Sequence, residues 1–267
     1  MSQPDRPLDP DLRPGRGAGS RDSGRYERFS RVDEGDGWDI PEEASVLRTL
    51  VTEERPRSAI TYQSSPDLPF DRSINPYRGC EHGCIYCFAR PSHAWLGLSP
   101  GLDFETRLVA RPTLPEVLAE ELRKPRYKVA PLAIGTNTDP YQPVEKQRGI
   151  MRACLEVLRD FRHPVAIVTK GTLIERDTDI LAEMAAQGLA RVGISVTTLD
   201  PAISRRMEPR APSPARRLAT IRRLTEAGVP VRIMASPMVP ALTDSELEKI
   251  LEAGAEAGAE AASWIML

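Results

Sequence analysis

The sequence is poor in cysteine, histidine, aromatics and net charge, and it has no long apolar run. Four cysteines and three histidines occur in 267 residues. That excludes a disulfide-built secreted scaffold, which needs many paired cysteines. Aromatics make up 5%, against 40% hydrophobic residues in all, so a sizeable core must be aliphatic. The formal charge of −2 gives no global basic field for nucleic acid or an anionic membrane. No run reaches about 18 apolar residues, and no charged segment followed by an apolar one opens the chain. Neither a membrane span nor a leader is expected. The length suits one large domain or two small ones.

What is present is concentrated. Three of the four cysteines fall within eight residues, Cys80-Glu81-His82-Gly83-Cys84-Ile85-Tyr86-Cys87. An odd number of clustered thiols does not pair off into disulfides. Three thiols on one short loop can hold three corners of an iron–sulfur cube, leaving the fourth iron open. A zinc site is the alternative, with His82 or His93 as its fourth ligand. Either use calls for a reducing compartment, so a cytoplasmic protein is expected.

Residues 1–37 are rich in Pro, Gly, Ser, Asp and arginine (Arg6, Arg13, Arg16, Arg21, Arg25, Arg28, Arg31) and nearly devoid of large apolar side chains. Such a segment is expected to be a disordered, solvated tail. Residues 38–70 form an N-terminal extension, in which Val46, Leu47, Leu50 and Val51 suit a helical face or a strand. From residue 71 onward, short β-branched runs alternate with amphipathic stretches, the pattern of βαβ units. Strands are expected at Arg72–Pro76, Pro131–Gly135, Val165–Thr169, Arg191–Thr197, Val231–Ser236 and Ser263–Leu267. Helices are expected at Leu114–Arg123 (capped by Thr113, with Glu116 three residues on), Val144–Phe161, Thr178–Gln187, Pro214–Ala227 (capped by Ser213) and Asp244–Ala257. Six strands with five helices between them suit an α/β fold of (β/α)6 partial TIM-barrel type. An open flavodoxin-like sheet is the alternative.

The spacing C-x3-C-x2-C, with an aromatic before the last cysteine, resembles the radical S-adenosylmethionine (radical SAM) enzymes. The wider stretch from Ser73 through Arg90 resembles their spore photoproduct lyase-like branch, the "DNA repair photolyases". The resemblance implies a [4Fe-4S] cluster on Cys80, Cys84 and Cys87. It also implies S-adenosyl-L-methionine on the open iron and Tyr86 beside that cofactor. Family members continue past the sixth strand, so the resemblance implies a truncated C-terminal end.

Ligands in parallel α/β folds sit at the C-terminal ends of strands, and the implied cofactor contacts fall there. They are Thr136, Asn137, Thr138 and Asp139 after the second strand, Lys170 after the third and Ser195 on the fourth. Arg210, oriented by Glu208, offers a fork for a carboxylate, and Ala235–Pro240 faces the adenine. Spore photoproduct lyase itself places a hydrogen-donating cysteine where this chain has Thr136, which argues against thymine-dimer lyase activity. Cys154 reads as a core thiol, and His82 as either a support of the loop or an exposed residue. His163 carries no signal. Arg205, Arg206, Arg216, Arg217, Arg222, Arg223 and Arg232 read as a solvated face around the fourth helix. The resemblance implies an enzyme of lyase or hydrogen-abstracting type. It would take an electron from flavodoxin or ferredoxin and act on damaged or modified nucleic acid in DNA repair. The other reading is a non-enzymatic iron–sulfur or zinc protein acting through a partner.

Overall fold

A computed structural model describes residues 15–26 and 47–267. The strands are β1 (Leu50–Glu53), β2 (Thr61–Tyr62), β3 (Arg72–Ile74), β4 (Tyr77–Arg78), β5 (Arg107–Ala110), β6 (Leu132–Ile134), β7 (Val165–Thr169), β8 (Ala190–Ser195), β9 (Val231–Met238) and β10 (Ala261–Met266). The α-helices are α1 (Leu102–Thr106), α2 (Leu114–Leu122), α3 (Glu145–Arg148), α4 (Ile150–Asp160), α5 (Thr178–Ala185), α6 (Pro201–Met207), α7 (Pro214–Glu226) and α8 (Leu247–Glu256).

The main sheet has the order β10-β9-β8-β7-β6-β3-β2. Its six strands from β3 to β10 are parallel neighbours in sequence order, and β2 adds an antiparallel edge. A flavodoxin-like sheet must reverse direction at a switch point. Here the order never reverses. Right-handed crossovers that always advance the same way put every connecting helix on one face. The result is the expected partial barrel.

The central strands read Leu-Ala-Ile, Val-Ala-Ile-Val-Thr and Ala-Arg-Val-Gly-Ile-Ser, apolar runs buried on the core face, while Ala166 and Arg191 on the other face are exposed. In register, Ile134 lies beside Ile167 and Ile194 beside Ile233. α4 presents Met151, Cys154, Leu155 and Leu158 to this core, a stripe at helical spacing. Cys154 is therefore a core thiol, as expected.

Several expectations need correction. The stretch 144–161 is two helices, because Gly149 turns left-handed at φ 65° and ends α3 before α4 begins. Thr113 and Ser213 stand at helix starts, but neither side chain makes a capping bond. Asp200 caps α6, a helix not foreseen, by accepting from Ala202 N and Ile203 N. After Ile74 the chain leaves the main sheet, and β4 pairs with β5 in a second sheet of order β1-β5-β4. Leu50 and Val51 thus lie in a strand, while Val46 lies outside the described residues. Part of the segment read as a disordered tail, residues 15–26, packs against the cysteine loop. Its contacts there are mainly polar, with the Tyr26 ring on Trp95, and an argument from apolar content does not count the polar ones. Arg217, read as solvated, is buried. Among the described residues no helix is long and apolar enough to cross a membrane.

The core makes a direct prediction. Leu155→Ala should lower unfolding free energy by about 2–5 kcal/mol, and Arg222→Ala on the exposed face of α7 by less than about 0.5 kcal/mol. Urea unfolding midpoints check both.

Candidate active site

The cysteine loop follows β4, which is separated from the main-sheet strand β3 by two residues, and other segments hold it. Cys80 N donates to Phe104 O at 2.9 Å, and Ile85 N to Met207 O at 3.0 Å. Arg210 N donates to His82 O at 3.2 Å. The buried amide of Gln142 clamps the loop's entrance. Its Nε2 donates to Gly79 O at 3.1 Å, and its Oε1 accepts from Glu81 N at 2.9 Å. Arg90 donates to Cys84 O at 2.8 Å, to Gly101 O at 3.1 Å and to the buried Glu105 carboxylate at 2.6 Å. Its guanidinium also lies 5.5 Å from the Phe104 ring centre.

All three thiols are free. Burial pushes the Cys84 thiol up to about 12 and raises those of Cys80 and Cys87. Lys170 lowers Cys84 and Cys87, and Arg90 lowers Cys87, without overcoming that burial. The loop thus carries soft donors that give up protons only to a strong positive centre, as thiolate metal sites do. Among the described residues no three His, Cys, Asp or Glu side chains converge to hold a single ion. His93 is committed elsewhere, with Nε2 2.8 Å from Arg107 O and its ring edge-on to Phe104. His82 is buried with Nδ1 3.3 Å from Asp139 Oδ2. His93 is thereby spent, whereas His82 keeps its Nε2. A multi-iron cluster fits better, because its ligands grip separate corners.

Beside the loop lies a buried network centred on Glu208. Its carboxylate accepts from the Tyr86 hydroxyl, from Thr197 Oγ1 at 3.1 Å and from the Arg217 guanidinium. Lys170 Nζ lies 3.7 Å from the same carboxylate, donates to Ser195 Oγ at 2.7 Å and stands 5.8 Å from the Tyr86 ring centre. Arg217 also donates to Ser195 O at 3.0 Å and Pro212 O at 2.8 Å. Burial alone would raise Glu208, but Arg217 and Lys170 outweigh it and hold the carboxyl at about 2. Asp139 follows the same logic. Burial opposes its charge, yet His82 and hydrogen bonds from Lys170 N and Thr169 hold it at about 2.

The structure brings Tyr86, Lys170 and Ser195 together next to the cysteines, with Asp139 beside Cys80, and it gives most of the others different work. Asp139 is consumed by Thr169 Oγ1 at 2.6 Å, Lys170 N at 2.7 Å and Tyr141 N at 2.9 Å. Thr138 donates to Tyr77 O at 2.9 Å. Thr136 and Asn137 are half-buried at the mouth and make no hydrogen bond among the described residues. Arg210 meets Glu81 at 3.4 Å, so Glu208 orients Arg217 instead. Sequence reasoning missed Arg217, Glu105 and Gln142. Arg217 sits three residues after the Pro214 that starts α7, where it reaches back toward Glu208; that was its one legible cue.

Comparison with known proteins bears on this arrangement. A family model described as "Radical SAM superfamily" matches residues 74–254. Uncharacterized proteins from Mycobacterium bovis and Mycobacterium tuberculosis are 42% identical over 194 residues, covering 72% of this chain and 57% of theirs. One from Methanocaldococcus jannaschii is 27% identical over 173 residues, covering 65% of this chain and 62% of its own. The chain thus spans a little over half the length of the mycobacterial relatives it matches. In fold it is similar to a spore photoproduct lyase mutant with bound AdoMet and dinucleoside spore photoproduct, at TM-score 0.61 and 14% identity, covering 81% of this chain and 62% of that one. Spore photoproduct lyase complexed with dinucleoside spore photoproduct gives TM-score 0.56 at 15% identity, covering 80% and 60%.

The Glu208–Arg217 pair predicts an acid signature. Glu208 ordinarily titrates at 4.5 and is held at about 2 in the fold. Its ionised form is favoured in the folded state, so the stability it brings is full above 4.5 and disappears as pH falls toward 2. Arg217→Met should cost about 3–5 kcal/mol at neutral pH by stranding a buried charge, and less as pH falls through that window. Adding Glu208→Gln should recover part of the loss. Urea midpoints measured between neutral pH and pH 2 check the sign.

Proposed function

Since this chain belongs to the radical SAM superfamily, we propose that it is an enzyme that cleaves S-adenosyl-L-methionine reductively to start radical chemistry. The carrying observation is the set of three free thiols on one externally held loop, Cys80 buried and Cys84 and Cys87 half-buried, beside Lys170, Ser195 and Tyr86. When bound, a reduced [4Fe-4S] cluster supplies one electron to the sulfonium, giving methionine and a 5′-deoxyadenosyl radical. Cys80, Cys84 and Cys87 are the residues that would hold it, with the open iron left for the substrate amino acid. We read Lys170 as the partner of the cofactor carboxylate and Ser195, already bonded to Lys170, as the partner of a ribose hydroxyl. Tyr86 supplies an aromatic wall fixed by Glu208, and Thr136 and Asn137 offer unspent polar groups to the amine. The protein's part is binding, orientation and exclusion of water. A flavodoxin or ferredoxin would deliver the electron.

For the substrate, we read a damaged or modified nucleic acid. Support comes from the shared fold with spore photoproduct lyase, a protein solved with a dinucleoside spore photoproduct. Thr136 stands where the resemblance places a hydrogen-donating cysteine, and a hydroxyl is a poor hydrogen-atom donor. The reaction is therefore expected to differ from thymine-dimer reversal.

Anaerobic reconstitution should give about four irons per chain, and dithionite should then drive release of 5′-deoxyadenosine. Cys84→Ala should abolish both. One tightly bound zinc with no SAM cleavage would instead support the non-enzymatic reading. For the substrate, damaged oligonucleotides should raise the rate of 5′-deoxyadenosine release over the uncoupled rate. If no oligonucleotide raises it, the nucleic-acid assignment is wrong.

A further inference from the structure

Residues 15–26 are far from the cysteine loop in sequence and lie directly on it in space. Arg16 is buried, and its guanidinium donates to Glu105 O at 2.9 Å, Leu47 O at 2.9 Å and Thr49 Oγ1 at 3.1 Å. The next two backbone N–H groups reach the Glu105 carboxylate, Gly17 N at 3.0 Å and Ala18 N at 2.8 Å. That carboxylate has no exposed surface and also binds Arg90, which grips the carbonyl of Cys84. One buried carboxylate therefore links the segment to a cysteine through a single arginine. Farther along, Leu102 N donates to Ser20 O at 3.0 Å, Arg21 pairs with Asp103 at 2.7 Å, and the Tyr26 ring lies 4.5 Å from that of Trp95.

The contact with the loop itself is close. A Cβ on Gly17 would sit 1.8 Å from Gly83 O and 3.2 Å from Ile85 Cγ2. Gly83 and Ile85 both lie between Cys80 and Cys87. Only glycine lets this backbone lie flat against that stretch. Thr49, which accepts from Arg16, passes the linkage on by donating to Glu81 Oε1 at 2.7 Å, and Arg210 meets the same carboxylate. The segment, the lead-in to β1 and the barrel rim therefore converge on the loop.

We propose that residues 15–26 are a strap that positions and seals the cysteine loop, with Glu105 as a positioning residue acting through Arg90 on Cys84. The strap closes in the metal-free chain. Its sealing of a bound cluster against chelators and oxygen rests on the reading given under Proposed function. Glu105 presents two acceptor oxygens, enough for both strap amides and the guanidinium together, which a neutral amide cannot match.

The full chain carrying Gly17→Val tests this, because the added side chain expels the strap without touching the barrel core. In metal-free protein, trypsin cleavage after Arg16 and exchange of the Ala18 amide should be slow, and at least about tenfold faster in the variant. The thermal midpoint should fall by no more than a few degrees, the loss of docking alone. Glu105→Gln should shift both rates the same way by less. After anaerobic reconstitution to equal iron content, the visible iron–sulfur absorption should bleach several-fold faster in the variant on exposure to air or EDTA. Equal cleavage of both proteins overturns the strap. Unequal cleavage with equal bleaching overturns its sealing role. If neither protein takes up iron, the cluster reading falls and the sealing role with it, while the first arm still decides whether the strap closes.

Discussion

Eight residues bearing three thiols cannot hold their own shape. Within the loop the one backbone bond is Cys87 N to Cys84 O at 3.3 Å. What else fixes it comes from outside the loop: from Phe104, Gln142, Met207, Arg210 and Arg90, and from Thr49 on Glu81, Asp139 on His82 and Glu208 on Tyr86. The thiol geometry is thus a property of the whole fold. Arg90 shows why side-chain identity matters. It joins Cys84 O, Gly101 O and Glu105 while lying over Phe104, a use of the planar fork that a lysine's single ammonium cannot reproduce.

The same economy governs charge. At the barrel mouth the Glu208 carboxylate faces two cations, Arg217 and Lys170. Within this cluster the cations outnumber the carboxylate, and the ionised Asp139 beside Cys80 offsets the excess. Arg217 is spent on Glu208, Ser195 O and Pro212 O, so Lys170 is the cation with reach to spare. Asp139 also has a positional task. It holds the end of β7, where Lys170 begins, and so fixes where that lysine stands.

The six parallel strands and the cysteine loop were legible because their signals are local. Apolar runs such as Val165–Thr169 and a fixed spacing of thiols need no knowledge of distant contacts. The second sheet was hidden because β4 is two residues long and finds its partner β5 only across the cysteine loop. Arg217 was hidden because helix α7 carries several arginines, and only the tertiary position of Glu208 selects one. The strap was hidden for a related reason. Ordering a residue costs about 1–2 kcal/mol, and a segment without apolar side chains is normally left disordered on that ground. Charge-assisted hydrogen bonds to a buried carboxylate, at about 1.5–3 kcal/mol each, oppose that cost. No composition count reveals that Glu105 is waiting to accept them.

The stretch Thr136-Asn137-Thr138-Asp139 looked like one polar unit aimed at a cofactor, and the fold divides it. The last two side chains are consumed internally, Thr138 on Tyr77 O just before the cysteine loop and Asp139 on the end of β7. The first two keep their hydrogen-bonding capacity at the mouth. The division follows from what each position must do. A loop between two parallel strands must satisfy its own buried polar groups before it offers any to a ligand. Thr138 and Asp139 do so by tying the two neighbouring elements that carry Cys80 and Lys170. Their effect is therefore on the placement of those two residues, while the hydrogen-bonding groups of Thr136 and Asn137 stay unspent at the same turn.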